Sequence, residues 1–461
     1  MRRPETHAHG WEITSLLAHP DTPLSRRSAL VHFTAFALTP SGLSTLSRSD
    51  DPWDDVQQRA FRFFVEQADP KTGLVKDRAD NSKADSYTVA SIASTGYGLA
   101  ALAVGLRRGW IAREAAMEQA LRSLRFLLTG MRQKNGWMYH FVDMRTGERV
   151  WDSEISTIDT AVLVAGALVC GEALGGEARG LANQLYDRLD WHWAMTNGGS
   201  RPEKRTLTHG WKPEEGFLPY EWDSYSEGLL LYLLGLGARN RPLPRECWAS
   251  WPRATMRYAG WESLQGGPIF LHQMPHNFFP LRERRCRLGW DYWVSAVNAT
   301  FINRQYCLDQ QRRAGDDSPA FWGLNASDGP SGYKAYGVFG PEDGTYSPTG
   351  MLASAPLTPQ LCAEALGALK AYDGGRLLGK YGFANAFNPR RSWVSPDVIG
   401  IDLGMALLAI ENHRSGHVWK LMERHPLVAR AYGSAGLRRT REPLPRKLRV
   451  EALAQNEGGR D

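Results

Sequence analysis

The chain of 461 residues lacks the local motifs of several large enzyme classes. It has no P-loop, no G-x-G-x-x-G turn after a strand and no G-x-S-x-G nucleophile elbow. Each of these motifs places backbone amides or a nucleophile where phosphate or acyl chemistry needs them. Nothing in the sequence therefore indicates a nucleotide-binding fold or an α/β-type serine hydrolase.

Metal and disulfide chemistry are also poorly represented. The five cysteines are far apart, form no C-x-x-C pair and are odd in number, so they predict buried free thiols and no disulfide framework. His272 and His276 are four residues apart in "HQMPHNF", but Pro275 is expected to interrupt a helix and no third ligand is apparent. We expect no bound metal and no cofactor.

Membranes and nucleic acids are not expected partners. No run approaches the roughly 18 apolar residues of a membrane-spanning helix, so membrane insertion is not predicted. The net charge is +6, but Lys and Arg are scattered and form no basic stripe of the kind that binds nucleic acid. The densest basic cluster, "LRRTREPLPRKLR", lies in residues 437–461, which we predict to be a flexible tail.

Residues 1–51 are predicted to be a leader. "SRRSALVHFTAFALTPSGL" (25–43) places Arg26 and Arg27 before a short apolar stretch, which is typical of a twin-arginine export signal. This pattern predicts a periplasmic or secreted protein; the alternative is a disordered leader on a cytoplasmic protein. Residues 52–436 are long enough to form one large domain, expected to be a monomer.

The hydrophobic pattern in this domain is mostly helical. In "WDDVQQRAFRFFVEQ", Val56, Ala60, Phe63 and Phe64 fall on one helical face. Strand signals are few, and "GPIFLHQ" is an example. We predict an all-α fold with minor short strands. Further helices are predicted at 88–107, 113–129, 156–173, 178–195, 224–237, 288–313, 358–371, 402–412 and 415–430.

Several predicted helices end in similar loops that carry Gly, an aromatic residue and often Asp. They read "TGLVKDRAD", "NGWMYHFVD", "GWKPEEGFLPYEWD", "FWGLNASDGPSGY" and "YGFANAFNP". Their spacing is irregular, so the chain is no short solenoid. Successive helical hairpins whose loops collect at one end would form an (α/α) toroid with a cleft over its mouth, and function concentrates in such loops.

Aromatic residues indicate the type of ligand. Many of the 17 Trp residues stand beside Gly, Asp or Asn in these loops. A flat indole face packs against the C–H face of a sugar while acids bind its hydroxyls. Trp-rich acidic loops therefore favour a carbohydrate cleft.

Acidic residues at two helix starts have two interpretations. Ser156 and Asp159 in "SEISTIDT", and Ser224 and Glu227 in "YSEG", have the spacing of a capping box. In that motif the hydroxyl accepts from an amide of the first turn, and the acid reaches back to the N-cap amide. Capping does not account for Glu154, which precedes the first of these helices.

The coincidence of two such starts favours catalysis as well. Each carries a Trp, a loop Glu and an acid at the helix start: Trp151, Glu154 and Asp159 in one, and Glu221, Trp222 and Glu227 in the other. If both starts line one cleft, they supply the paired carboxylates of glycoside hydrolysis. A carboxylate in the first turn of a helix favours its ionised form, so we assign Glu154 as acid and Glu227 as base, with the reverse left open.

Other residues in these loops could bind sugar hydroxyls or stack on sugar rings. Asp402 is expected to cap its helix, with a cleft-facing role as the alternative. The predicted substrate-binding residues are Asp152, Trp151, Trp137, Glu221, Trp222, Asp223, Trp211, Asp328, Tyr333 and Asn388.

Seven segments, in order across residues 52–436, occur together in one known family. They are "SIASTGYGLAALAVGLRRGWI", "NGWMYHFVDMRTGERVWDSEISTIDTAVLVAGAL", "GWKPEEGFLPYEWDSYSEGLLLYLLGLG", "GPIFLHQ", "WGLNASDGPSGYKAYG", "YGFANAFNP" and "GIDLGMALLAIENHRSG". As a set they resemble the bacterial glucoamylase-like family, whose characterised members include endo-β-1,2-glucanases. The chain departs from its relatives at 277–290 and at Leu403, both expected near the cleft.

The resemblance implies an (α/α)6 toroid and metal-independent, inverting, endo-acting hydrolysis of β-1,2-glucan. The family's acidic motifs fall on Glu154, Asp159 and Glu227. Relatives also include exo-acting and transglycosylating enzymes, so these remain alternatives on the same site. A non-catalytic glucan-binding protein is the alternative from a different class, and a purely structural scaffold is the third.

Overall fold

The computed structural model describes residues 51–316 and 319–440. The predicted leader, apart from Asp51, and the tail beyond residue 440 lie outside the described residues, and their export and tail functions stay predictions. Helices dominate the described residues, as predicted. They are α1 (Pro52–Glu66), α2 (Ile92–Arg108), α3 (Arg113–Thr129), α4 (Thr157–Leu174), α5 (Gly176–Asp187), α6 (Trp191–Thr196), α7 (Gly228–Gly237), α8 (Phe270–Phe278), α9 (Tyr292–Arg313), α10 (Pro348–Leu352), α11 (Pro359–Ala371), α12 (Gly400–Ser415), α13 (His417–Met422) and α14 (Pro426–Ala435).

The strands are short, with at most four residues each, and every named pair is antiparallel. The largest sheet has five strands in the order β3-β4-β6-β7-β8, and the remaining strands form two-stranded ribbons. The strands are β1 (Arg78–Asp80), β2 (Val89–Ser91), β3 (Gln133–Lys134), β4 (Trp137–Tyr139), β5 (Phe141–Asp143), β6 (Ile155–Ser156), β7 (Gly210–Lys212), β8 (Gly216–Phe217), β9 (Thr255–Tyr258), β10 (Trp261–Leu264), β11 (Arg284–Arg285), β12 (Ala326–Ser327), β13 (Lys334–Ala335), β14 (Leu378–Gly379), β15 (Gly382–Phe383), β16 (Phe387–Asn388), β17 (Trp393–Val394), β18 (Asp397–Ile399) and β19 (Arg438–Arg439).

Three predicted elements differ from the structure. The predicted helices 178–195 and 415–430 are each two helices, because Asp190 caps a new helix at Trp193 N and Pro426 starts another. The predicted strand "GPIFLHQ" is wrong, since its second half begins α8. A short apolar run does not distinguish a strand from a buried helix. Pro275 lies inside α8, so the expectation that it interrupts the helix is also wrong.

Six helices pack against one another in sequence. α2 packs on α4 and on α12, α4 packs on α7, and α8 packs on both α7 and α12. α10 packs on α12 and is tied to α8 by Gln273, whose side-chain amide donates to the Gly350 carbonyl oxygen at 2.8 Å. The first turns of α4 and α12, and the residue just before α7, carry acids described below.

Helices α2 and α4 meet backbone to backbone. A methyl group at Gly166 would overlap the carbonyl of Gly96, and one at Gly96 would overlap the backbone of Leu163. The glycines thus set the distance between the two helices that support the site.

Helix α4 is apolar on all sides. It has 18 residues with a mean hydropathy of 1.6, so the expectation that no stretch matches a membrane span is wrong by length and composition. However, 83% of this window is buried inside the protein, which is what a core helix of a folded domain requires.

All five cysteines are buried and free. Burial raises the pKa of Cys170, Cys247 and Cys362 to about 12, because the interior disfavours a thiolate. This matches the prediction from their spacing.

Candidate active site

The five-stranded sheet brings His140 and Glu154 together. Tyr139 pairs with Ile155 in the β4–β6 register, and His140 N continues this ladder by donating to the Glu154 carbonyl oxygen at 2.9 Å. Directly opposed residues of antiparallel strands have neighbouring side chains. His140 Nδ1 accordingly lies 3.0 Å from Glu154 Oε1.

Asp159 completes this group from the first turn of α4. Its Oδ1 lies 3.5 Å from His140 Nε2, and its Oδ2 accepts a hydrogen bond from the Ser156 hydroxyl at 2.5 Å. Asp159 N also donates to Ser156 Oγ at 3.3 Å, so half of the predicted capping box is present. The other half differs, because the carboxylate binds the hydroxyl of the capping residue and not its amide.

Glu227 is the residue just before α7. The predicted capping box with Ser224 is wrong: Glu227 makes no side-chain cap, and Gly228 N donates to Ser226 Oγ at 3.2 Å. Glu227 Oε2 is enclosed and has no hydrogen-bond partner among the described residues. Burial, and then the nearby charge of Asp159, raise the pKa of Glu227 to about 7.

The two glutamates have opposite pKa shifts. Burial disfavours the ionised form of Glu154, but the charge and hydrogen bond of His140 outweigh it and lower the pKa of Glu154. Glu227 therefore keeps its proton more readily, and Glu154 loses its proton more readily. These shifts favour the reverse of the predicted assignment, an alternative that the sequence left open, with Glu227 as acid and Glu154 as base.

A second group of charged residues surrounds Arg78. Its guanidinium lies 3.3 Å from Asp328 and 3.4 Å from Asp397. Asn385 accepts from the Asp328 amide at 2.8 Å and donates to the buried Asp402 carboxyl. Burial, followed by the charge of Asp328, raises the pKa of Asp402 to about 8. The expectation that Asp402 caps its helix is wrong, because the N-cap residue of α12 is Ile399 and no side chain caps this helix. The raised pKa instead favours a protonated Asp402 carboxyl near Asp328.

Three predicted substrate-binding residues have exposed side chains beside these groups. Trp151 and Tyr333 are 50% and 41% exposed, and Asp152 is exposed next to Trp151. Trp151 and Asp152 both have left-handed backbone, with φ of 56° and 49°. Left-handed backbone is strained in residues other than glycine, and such strained residues cluster at functional sites. Trp151 also packs against Phe141, which stacks on His140, so it adjoins the acidic group.

Several other predicted substrate-binding residues are structural, and the prediction for them was wrong. Trp137 is fully buried and donates to the Asp190 carbonyl oxygen. Trp222 is buried, donates to Thr157 and stacks on His209. Buried indoles cannot stack on a sugar. The local pattern of Trp beside an acid therefore predicted too many sugar-binding Trp residues.

The same applies to Asn388. It is fully buried, and its amide donates to Thr345 Oγ1 at 3.0 Å.

The remaining predicted binders, Glu221, Asp223 and Trp211, have other surroundings. Glu221 is engaged by Lys204 at 3.0 Å and by the Thr206 hydroxyl. Asp223 is exposed, and Trp211 is half-buried with Lys134 Nζ 4.9 Å above its ring. Nothing in these contacts directs their side chains to the acids.

One metal-like geometry occurs among the described residues. Ligand atoms of His140, Glu154 and Asp159 all lie within 4.8 Å of one another. A histidine must be neutral to bind a metal, whereas both ring nitrogens of His140 face carboxylates, an arrangement that suits imidazolium. His272 and His276 are buried and one turn apart in α8, and burial lowers the pKa of each, to about 3 and about 4.

His140 and Arg78 are functional candidates that the sequence did not single out. Met138 and His140 are two residues apart, so both fall on the same face of an extended strand. This spacing was the signal in the sequence that could have identified His140. Only the pairing of β4 with β6 places that face against Glu154. Arg78 meets its acids through chain segments about 250 and 319 positions away, which no local pattern reveals.

Comparison with known proteins finds similarity to glucoamylase-like proteins and to enzymes named for β-1,2-glucans. A family model described as "Putative glucoamylase" matches residues 219–426. An exo β-1,2-glucooligosaccharide sophorohydrolase of Parabacteroides distasonis is 28% identical over 421 residues, covering 81% of this chain and 56% of that protein. The chain thus spans about half the length of this curated relative.

Solved structures are similar across nearly the whole described region. An endo-β-1,2-glucanase from Chitinophaga pinensis, in complex with sophorotriose and glucose, aligns with a TM-score of 0.75 and 26% identity, covering 86% of this chain and 99% of that chain. A β-1,2-glucanase from Parabacteroides distasonis shares the fold, with a TM-score of 0.76, 24% identity, and coverage of 83% and 59%. These matches confirm the resemblance to the glucoamylase-like family.

Proposed function

We propose that this glucoamylase-like chain is a glycoside hydrolase that cleaves β-1,2-linked glucan. The observation that carries the proposal is the pair of unlike carboxyl groups, since Glu154 faces His140 at 3.0 Å whereas the enclosed Glu227 Oε2 has no hydrogen-bond partner among the described residues. These environments shift their pKa values in opposite directions. Glycoside hydrolysis needs one carboxyl group that is protonated and one that is ionised. The named activities of the sophorohydrolase and of the endo-β-1,2-glucanase support the β-1,2 linkage.

In the proposed mechanism Glu227 is the general acid. Its enclosed carboxyl gives its proton to the glycosidic oxygen as the bond from that oxygen to the anomeric carbon breaks. Glu154 takes one proton from a water molecule, whose oxygen forms the new bond to the anomeric carbon. The products are two shorter glucans, one with a new reducing end. Attack from the opposite face inverts the anomeric carbon, which agrees with the resemblance.

We also propose that the helices form an (α/α)6 toroid. The inner ring would be α2, α4, α7, α8, α10 and α12, since each packs on or hydrogen-bonds to the next and α12 returns to α2. The outer ring would be α1, α3, α5, α14, α9 and α11, which pack on these helices or on one another. Acids from the first turns of α4 and α12, and from the residue before α7, would then line one mouth of the ring.

The first experiment measures new reducing ends from linear β-1,2-glucan, with β-1,3-glucan and starch as comparison substrates. We expect activity on the β-1,2 polymer alone. Glu227→Gln should lower the rate about 100- to 10,000-fold, the usual contribution of a general acid. Glu177→Gln is the control, because Glu177 pairs with Arg125 on the surface of α5.

The products discriminate between the alternatives. Intermediate-length fragments support endo action, and disaccharide alone supports exo action. Binding of glucan by folded wild-type protein without any reducing ends would instead favour the non-catalytic glucan-binding protein. Inactivity on all three polymers without binding would contradict the proposal.

A further inference from the structure

His140 stands between two acids in a way that uses both of its ring nitrogens. Nδ1 lies 3.0 Å from Glu154 Oε1, and Nε2 lies 3.5 Å from Asp159 Oδ1. A neutral imidazole has one donor, whereas imidazolium has two. The geometry therefore suits a positively charged ring held between two carboxylates.

The ring is fixed by its surroundings. It stacks on Phe141 with centroids 3.8 Å apart and planes 17° apart. The His140 carbonyl oxygen accepts from Ile92 N at 3.2 Å, which ties the strand to the start of α2. With the side chain only 27% exposed, little freedom remains for the ring to leave either acid.

We propose that His140 is a positioning residue that clamps Glu154 to Asp159 and leaves Glu154 Oε2 free for the reacting water. This inference deepens the proposed function and rests on it for the role of Glu154. His140 itself would touch neither the water nor the sugar.

The neighbouring charges explain why such a clamp is needed. Asp159 and Asp77 lie on other elements, and both act on His140 together with Glu154. The charge of Lys212 on β7 also lowers the pKa of Glu154, and the charge of Asp159 raises the pKa of Glu227. Without the imidazolium, Glu154 and Asp159 would be buried like charges, and such pairs tend to share a proton. Burial opposes the charge on His140, yet Asp159 and Glu154 raise the pKa of His140 to about 9.

The first test is the pH dependence of kcat/KM for wild type and His140→Gln. Glutamine can still hydrogen-bond but carries no charge. The acidic limb should move up by roughly 1 to 3 pH units, which is the usual effect of one close opposite charge. His192→Gln is the matched control, since His192 lies on α6 and contacts the Pro242 carbonyl oxygen. A rate that falls equally at every pH, with an unmoved limb, would overturn the proposal.

The second test needs no activity. The ¹⁵N signals of the histidine rings in the full chain are followed against pH, and the His140 signals are assigned by their loss in His140→Gln. We expect imidazolium at pH 8 in wild type and a lower midpoint in Glu154→Gln. A wild-type midpoint near 6.5 would overturn the clamp. If glucan is not cleaved at all, this test still judges the clamp separately from the proposed function.

Discussion

At the scale of single residues, the neighbours of a carboxyl group decide its chemistry. Glu154 and Glu227 are the same residue type in similar sequence settings, yet one faces a histidine and the other has an unpartnered oxygen among the described residues. The sequence identified both residues because each accompanies a helix start. It could not assign their roles, since the partner His140 arrives through strand pairing.

The raised pKa of Glu227 predicts the basic limb of the activity profile. Glu227 is protonated below its pKa of about 7, so kcat/KM on β-1,2-glucan should fall as pH rises through about 7. The profile is measured from pH 5 to 9 at constant ionic strength. In Glu227→Gln the residual activity should lose this limb, because the amide does not titrate. Persistence of the same limb in the variant would assign it to another group, with Asp402 the first to test.

At the scale of elements, periodic helices were predictable and their ends were not. The predicted 113–129 coincides with α3, since its apolar spacing is regular. Helix α8 was missed because its nine residues include Pro275 and few repeats of the pattern. The start of α7 was placed at Ser224, four residues early, because cap spacing alone does not fix a boundary.

The contact between α2 and α4 predicts a strong effect of one methyl group. Gly166→Ala should lower the free energy of unfolding by about 1 to 3 kcal/mol, the usual cost of overpacking, because its methyl group meets the backbone of Gly96. Gly180→Ala is the matched control in α5, where a methyl group meets no atom within 4 Å. That change should stabilise the protein by about 1 kcal/mol, as Ala favours a helix over Gly. Denaturant unfolding of both variants measures this, and equal effects would contradict the close approach.

At the scale of the whole molecule, the sequence predicted helical architecture and overestimated the aromatic cleft. Trp137, Trp191, Trp248 and Trp322 are among the largest fully buried side chains, although Trp137 and Trp322 belong to segments that the sequence indicated as loops. A large helical domain needs bulky residues where its loops cover helix ends, and the local composition of such loops is the same as that of a sugar site. An exposed Trp side chain, as at Trp151, distinguishes a sugar-binding loop from a structural one. Its exposure depends on the fold and cannot be read from the local sequence.

Buried neutral histidines predict a dependence of stability on pH. His276 is 2% exposed, and burial lowers its pKa to about 4. In the unfolded chain it would protonate near 6.5, so its contribution to stability is complete above that pH and is lost as pH falls toward 4. Phenylalanine does not titrate. As pH falls from 7 to 5, the free energy of unfolding of His276→Phe should therefore rise by about 2 kcal/mol relative to that of wild type. Denaturant unfolding of both proteins at the two pH values measures the difference, and a constant difference would contradict burial of the neutral ring.

The five enclosed cysteines have a practical consequence for following motions of this protein. A folded chain without an accessible thiol is a silent background for alkylating dyes and spin probes. One cysteine introduced at an exposed position, such as Trp151, would carry the only readily labelled sulfur and would report directly on the surface beside Phe141 and His140. In the unmodified chain, the rate at which the five native thiols are labelled would measure how often the core opens and exposes them.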